Sequence, residues 1–454
     1  MKQRNNVHTF VPALVALVLL AAVPGVSIQA QDTLEEELFG EVMFDDALFD
    51  DALSGGEGLV RQADANPGNP SAALLTSETV KVGGRFFMDV EGSGKPDAWG
   101  DDISTYLSPG VALGFDLYLD ARPDEDLRVF IKGRAEYPFA DDGDYELMEA
   151  FADILPFPGL FVRSGKQTAN WGVGYFFSPA NLLNTQRVNP EDPEAELTGP
   201  VAVKIHLPVG TDNYYLYSIL GEAVDGGPVA LAPKVEWMAG NAELSLGGLW
   251  MPESPWAVMT TLSTTLGGVY LFAEAVLRGN EDKRWVVLDS GSPSGVSVET
   301  RPDELFPLAT AGIAWSWSDD LNRANLGVRA QYYYNGLGYD DPRILSGHEL
   351  AVKTFLMAGA LGVEDLVESA RHYGGAVVST SAILDSGFGV TLSWLGNLVD
   401  NSGKAGLGVS WDGWDRLMVR VDFDYRYGAE GSEFSPLGSG PTVALLLSVS
   451  GATF

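Results

Sequence analysis

From Val80 onward the sequence repeatedly keeps a period of two over stretches of roughly ten residues, the length a tilted strand needs to cross a membrane. In 127–137, Leu127, Val129, Ile131, Gly133, Ala135 and Tyr137 share one face, and Arg128, Phe130, Lys132, Arg134 and Glu136 share the other. In 417–427, Leu417, Val419, Val421, Phe423, Tyr425 and Tyr427 alternate with Met418, Arg420, Asp422, Asp424 and Arg426. Stretches 80–90, 110–120, 309–317 and 326–334 alternate nearly as well. Successive side chains on a strand point to opposite sides, so each stretch is a strand with one apolar and one wet face. Such strands can form a soluble sandwich, with the apolar faces packed together. They can also form a barrel that turns those faces to lipid.

Three features favour the barrel. The strands are long. Their apolar faces often end in aromatic rings, as at Tyr137, Trp250, Trp315, Trp317, Tyr332, Tyr334, Trp394, Trp411, Tyr425 and Tyr427, and such rings suit a water–lipid boundary. The gaps also sort by parity. About eighteen strands are expected, within a range of about 16–20: 79–91, 110–121, 127–138, 145–154, 160–172, 200–208, 213–222, 230–238, 242–251, 256–265, 268–278, 308–317, 325–335, 374–384, 387–397, 404–411, 417–427 and 442–454. No gap after an even-numbered strand exceeds seven residues, while 92–109, 173–199, 279–307, 336–373 and 428–441 all follow odd-numbered ones. Short periplasmic turns and long outer loops produce this asymmetry; a Greek-key sandwich has no reason to. The fold class is therefore all-β, a transmembrane antiparallel β-barrel spanning 78–454.

The flanking regions agree. Residues 1–30 read as a signal peptide: Lys2 and Arg4, then an apolar stretch at 11–23 too short for a spanning helix, with cleavage after Ala30 or Gly25. Residues 31–77 read as an acidic periplasmic leader and linker. Its 31–60 part holds ten acidic side chains and no basic one, and Phe44-Asp-Asp-Ala-Leu48 recurs at 49–53. Later runs such as 355–363 and 443–449 are too short for membrane helices. Phe454 closes an apolar strand, as is common in barrels delivered to the outer membrane. The chain has no cysteine, which removes disulfides, thiolate metal sites and a lipoprotein anchor. His8, His206, His348 and His372 are scattered without a carboxylate pattern. A net charge of −34 excludes nucleic acid as a partner.

The stretch 145–184 carries the most specific pattern. Two amphipathic strands meet at Pro156-Phe-Pro-Gly159, and a polar loop with Trp171, Tyr175, Phe176 and Phe177 at an aromatic mouth follows. Glu149-Ala-Phe151, Gly165-Lys-Gln167, Trp171-Gly172, Ser178-Pro-Ala-Asn181 and Asn184 resemble a porin-like outer-membrane β-barrel pattern, Glu-Ala-Tyr … Gly-Arg-Gln … Trp-Gly with an Asn-Pro-rich loop. Lys166 and Phe151 depart from it. The resemblance implies an outer-membrane channel of a diderm bacterium for passive diffusion of small polar solutes or ions, embedded in outer-membrane lipid. A homo-oligomer, a trimer by analogy, goes with it.

Strand parity puts Arg128, Lys132, Arg134, Glu136, Arg329, Arg420, Asp422, Asp424 and Arg426 on the pore wall. By analogy with general porins, the third outer loop folds inward and sets Glu191, Asp192, Glu194 and Glu196 opposite that basic wall as a constriction; a solvated outer loop is the plainer reading of 189–196. Glu274, Arg278 and Arg329 read as wall-stiffening charges. Ser178 and Pro179 suggest the start of a short loop helix. In 349–373, Val363, Leu366, Val367 and Ala370 recur at helical spacing, which reads as a long outer loop holding a short helix that caps the barrel or enters it as a plug, with two extra strands as the alternative. No Gly-x-Ser-x-Gly, phosphate loop or His-Glu-x-x-His occurs, so no enzyme, cofactor or metal is expected. The rival function is a surface adhesin or structural barrel with a plugged lumen.

Overall fold

The computed structural model describes residues 76–77, 79–94, 108–137, 145–221, 227–319, 325–381, 383, 386–414, 417–435 and 440–450. The expected signal peptide, most of the acidic leader and linker, and Phe454 lie outside them. One nineteen-stranded antiparallel sheet holds the chain, and setting aside the two-residue strand Thr76–Ser77 leaves eighteen long strands. They are β1 (Val80–Gly94), β2 (Ser108–Asp124), β3 (Leu127–Tyr137), β4 (Tyr145–Phe157), β5 (Leu160–Lys166), β6 (Val201–Val209), β7 (Asp212–Ile219), β8 (Ala230–Ala239) and β9 (Ala242–Leu249). After these come β10 (Trp256–Leu266), β11 (Val269–Gly279), β12 (Phe306–Ser318), β13 (Asn325–Asn335), β14 (His372–Thr380), β15 (Phe388–Asn397), β16 (Ser402–Trp414), β17 (Leu417–Tyr427) and β18 (Gly440–Ser450). Each matches one expected strand.

Every strand pairs with its sequence neighbours, and β18 also pairs back onto β1, from Phe87↔Ser450 to Gly94↔Val443. The described pairings therefore run round the ring from β1 back to β1. Hydrocarbon offers no hydrogen bonds, and each orphaned backbone group there costs several kcal/mol, so a sheet crossing a membrane must close. Turns at one end are short: 158–159, 210–211, 240–241 and 267–268 lie between strand ends, with Gly159, Gly210, Gly240, Gly267 and Gly268 supplying left-handed backbone. The other end carries 167–200, 280–305 and 336–371.

The two faces are chemically distinct. Ile131, Leu147, Ile154, Leu207, Leu246, Val258, Leu277, Ile313, Leu392, Leu407 and Phe423 are exposed although apolar, and each occupies the face opposite the charged positions of its strand or of the strand beside it. Rings ring both ends of that band: Tyr137, Tyr145, Trp250, Tyr332 and Tyr425 toward the long loops, Phe157, Tyr214, Trp317 and Phe388 toward the short turns. Apolar surface this extensive is stable only against lipid. Leu445 of β18 is exposed too.

The main apolar core lies on the other face of the wall, inside the ring. It joins Trp171, Phe176, Phe177 and Leu183 of the 167–200 loop to Tyr217, Met259, Val276, Phe306, Tyr333, Tyr373 and Leu395 of the strands. A second, smaller core lies among the outer loops. There a hairpin, Arg284–Leu288 with Val296–Thr300, packs Val286 and Val296 against Val352 and Leu361, beside α1 (Arg343–Gly347) and α2 (Glu349–Met357).

Two expectations about loops are corrected. The helix within 349–373 is α2, ahead of the 363–370 stripe, and no extra barrel strands form there. Gly359 at φ +68 and Glu368 at φ +49 leave the helical region, so that stripe holds only the 3-10 turn Val363–Asp365. The strand expected over 160–172 ends at Lys166. Gly165 turns to φ +137, close enough to β4 that an added Cβ would lie 2.1 Å from the Ala150 carbonyl oxygen. Beyond it the chain leaves the wall.

Candidate functional site

The residues that carried the porin-like pattern shape the base of the 167–200 loop. Gln167 is buried, with its backbone N–H on the Pro200 carbonyl at 3.1 Å and its side-chain amide on the Ala202 carbonyl at 3.1 Å. Glu149 accepts the Thr168 N–H at 3.1 Å, and Asn184 Oδ1 accepts the Ala169 N–H at 2.9 Å. These side chains replace the ladder partners that the backbone loses on leaving the sheet.

Two wall side chains then hold the loop from the far side. Glu274 of β11, only 1% exposed, accepts the N–H groups of Val173 (2.6 Å), Gly174 (2.6 Å) and Ala180 (2.8 Å) and the Ser178 hydroxyl (2.9 Å). A side chain at position 172 would not fit, since a Cβ on Gly172 would meet Ser178 Oγ at 1.7 Å and Glu274 Oε1 at 2.8 Å. Gln331 of β13 accepts the N–H groups of Tyr175 (3.1 Å) and Phe176 (2.7 Å) and donates to the Phe177 carbonyl and, at 2.6 Å, to Thr310 Oγ1. Ser178 thus bonds a wall carboxylate instead of capping a helix, and no helix forms at 178–184. The expected aromatic mouth is turned inward as well. Trp171 meets Tyr217 edge-on at 5.7 Å, and Phe177 stacks on Tyr333 at 4.8 Å.

Three of the four acids expected at the constriction touch wall cations. Glu196 contacts Lys132 and, at 3.1 Å, Arg134, both of β3. Glu194 lies 3.7 Å from Arg329 of β13 and accepts the Tyr175 hydroxyl at 2.9 Å. Burial and the Glu194 charge push the Tyr175 hydroxyl pKa well up, and the Arg329 guanidinium lies 4.4 Å above its ring. Glu191 bonds Lys404 of β16 at 3.2 Å and Arg426 of β17 at 2.6 Å. Asp192 is exposed; its backbone bridges to Asn189 and accepts the Ala195 N–H at 3.3 Å. The charges therefore meet at contact distance, with no gap between them.

The remaining expected wall residues pair locally. Arg420 bonds Asp422 at 2.9 Å, Asp424 meets Lys404 at 3.1 Å, and Arg128 bonds Asp120 at 3.0 Å. Glu136 faces Gly114 across the ladder, two positions along from Arg134. Arg278 pairs with Glu281 at 2.6 Å. Beyond Arg128, the sequence reading misses a charged row: Arg128, the acid Asp153, Arg163 and Lys204 run side by side across β3 to β6. Arg163 sits 3.9 Å over the Phe151 ring, Lys204 5.4 Å over Tyr215, and Lys234 of β8 5.7 Å over Trp171. Each lies on the wet parity of its strand, which is the signal that could have found it. Rings and carboxylates cover this row, while Ser393, Arg420 and Arg426 on β15 and β17 stay partly open.

A closed antiparallel ring with an apolar belt outside and ion pairs inside defines a transmembrane β-barrel of the outer-membrane type. Compared with family profiles and with curated proteins, the sequence matches none. Among solved structures the chain is similar to a mutant of the Rh. blastica porin, at 9% identity and TM-score 0.42, over 82% of this chain and 100% of that one. It is also similar to Acinetobacter baumannii OccAB1, at 10% and 0.45 over 82% and 96%, and to the outer membrane channel DcaP of the same organism, at 12% and 0.39 over 83% and 99%.

Proposed function

We propose that the protein is a passive outer-membrane channel for small polar solutes or ions, narrowed by the 167–200 loop folded into its lumen. One observation carries this reading. Glu191, Glu194 and Glu196 lie within six residues of one loop, yet they contact cations on β16 and β17, on β13, and on β3. Those strands stand on different sides of an eighteen-membered ring, and a loop reaching all of them crosses its interior. Rings of about sixteen to eighteen strands are too wide for side chains to fill and leave an aqueous channel. Acids and cations around such a path select among ions and polar solutes.

Purified protein reconstituted in a planar bilayer tests it. Discrete conductance steps are the expected result. Folded protein that gives no steps, and liposomes that do not swell in small sugars, would mean a filled lumen and hand the function to the loops.

A further inference from the structure

A second cluster lies at the outer end, beside the core that seats the 167–200 loop, where Phe177 meets Tyr373 at 5.4 Å. Glu433, in the connection after β17, sits half-buried where several segments meet. Tyr373 Oη, at the start of β14, lies 2.8 Å from both of its oxygens. Asn397 Nδ2, at the end of β15, donates to Oε2 at 2.7 Å, and the Ser369 N–H donates to Oε1 at 3.3 Å. The Glu433 N–H itself donates to Asp400 Oδ2 at 3.0 Å. Ala370 N–H reaches Tyr373 Oη at 2.7 Å, and Phe434 is buried beside the junction. Gly431 lies against α1, where an added Cβ would be 2.8 Å from Ser346 Cβ. One carboxyl group therefore fastens the 428–435 segment to the 336–371 segment, which carries both helices.

No cation faces this carboxyl group among the described residues. β14 presents Tyr373, β15 the neutral Asn397, and the 398–401 turn the Asp400 carboxylate. The 336–371 segment presents the Ser369 amide and, behind Tyr373, Glu368. Glu430 is the other acid of its own segment. Arg343 and Arg371 are held by Asp341 at 2.7 Å and Asp340 at 2.6 Å, and the charges of Arg187 and Lys283 bear on Glu368. Burial outweighs the hydrogen bonds from Tyr373, Ser369 and Asn397, Asp400 adds repulsion, and the Glu433 carboxyl is pushed up to about 7.

We propose that Glu433 is a proton-operated latch between the two outer segments, shut while the carboxyl is protonated and released as it ionises. The sign follows from linkage. In an opened junction the group is solvated and returns to its ordinary 4.5, so the shut form binds the proton more tightly. The shut form holds its full advantage below 4.5 and has lost it once pH has risen through about 7. Over that window the open-to-shut ratio rises by about three-hundredfold. The latch requires only the junction, so a barrel that conducted nothing could still have it.

Amide hydrogen exchange of the folded protein in nanodiscs, corrected for intrinsic rates, tests the latch between about pH 5 and about pH 9. Protection over 369–373 and 430–435 is expected to fall as pH rises in the wild type and to stay flat in Glu433→Gln. Asp400→Asn, which removes the repelling carboxylate, is expected to move the midpoint down, and it serves if Glu433→Gln folds poorly. Protection that ignores pH in the wild type overturns the latch. So does a profile shared by the wild type and Glu433→Gln, or a midpoint that Asp400→Asn leaves in place.

Discussion

Glu274 accepts the Gly174 N–H at 2.6 Å across 100 residues of sequence, from a strand on one side of the ring to a loop that leaves it on another. The carboxylate is buried, and it accepts from three backbone N–H groups and one hydroxyl, so the loop is built around the charge as much as the charge holds the loop. Hydrogen bonds to a charged group contribute about 1.5–3 kcal/mol each. Glu274→Ala removes four at once and leaves three loop N–H groups unpaired. The strands do not depend on it, so the barrel should still fold. Residues 173–180 should come loose, with conductance larger and noisier than in the wild type. Single-channel recording checks this; steps of unchanged size and noise would mean the loop is held elsewhere.

The two faces of β15 make a test of sidedness from adjacent residues. Leu392 is 52% exposed on the apolar face, and Ser393 lies on the other face beside Asp424, over Gly406. An arginine facing lipid near the bilayer midplane costs about 2–4 kcal/mol, whereas a wet-face change in open space stays within about 0.5 kcal/mol. Leu392→Arg should lower the free energy of refolding into vesicles by the larger amount and leave conductance alone. Ser393→Arg should do the reverse. Equal losses of stability would put both side chains in the same medium.

Much of this could be read from the chain before any coordinates. The eighteen strands, their parity and the sorting of the loops follow from a two-residue period and from gap lengths, both local properties. Ile131 and Lys132 declare their faces by chemistry alone. The re-entry of the loop is different. Nothing near Gln331 says that it will bond Phe176, 155 residues away, and Trp171 looks the same in sequence whether it meets lipid or packs on Tyr217. Glu274 was legible as a charge on the wet face, but its partners are backbone groups, which no residue pattern announces. The helix at Glu349–Met357 was misplaced because the 363–370 stripe has the right spacing, while the left-handed backbone at Gly359 and Glu368 breaks it.

Glu196 should matter to ions more than to stability. Its pairs with Lys132 and Arg134 are partly exposed, and such pairs contribute about 0–1 kcal/mol. Glu196→Gln leaves two cations of β3 without that acid, while Arg134 keeps Asp116 at 2.7 Å. Thermal stability should change little, while the reversal potential in a potassium chloride gradient moves toward anions. No shift in that potential would mean that permeating ions do not pass near β3.

Gly165 is where the chain stops being wall and becomes loop, and a methyl group there should separate the two. At φ +137 an L-residue is strained, and its Cβ would sit 2.1 Å from the Ala150 carbonyl oxygen. Relief requires β5 to shift away from β4 or to rotate Gly165 back to an extended conformation. Either change re-aims Gln167 and Thr168, whose bonds to Ala202 and Glu149 start the inward turn. Strain of this kind costs about 1–3 kcal/mol, and the close contact adds to it. Gly165→Ala should therefore refold less stably than the wild type and, once folded, conduct with a broad spread of step sizes as the loop loses its single exit. Neighbouring Ser164 is exposed and extended within β5, so Ser164→Ala is the matched control and should behave as the wild type. A Gly165→Ala protein with wild-type stability and one step size would show that the exit tolerates a side chain, and the loop's path would have to be fixed by Glu274 and Gln331 alone.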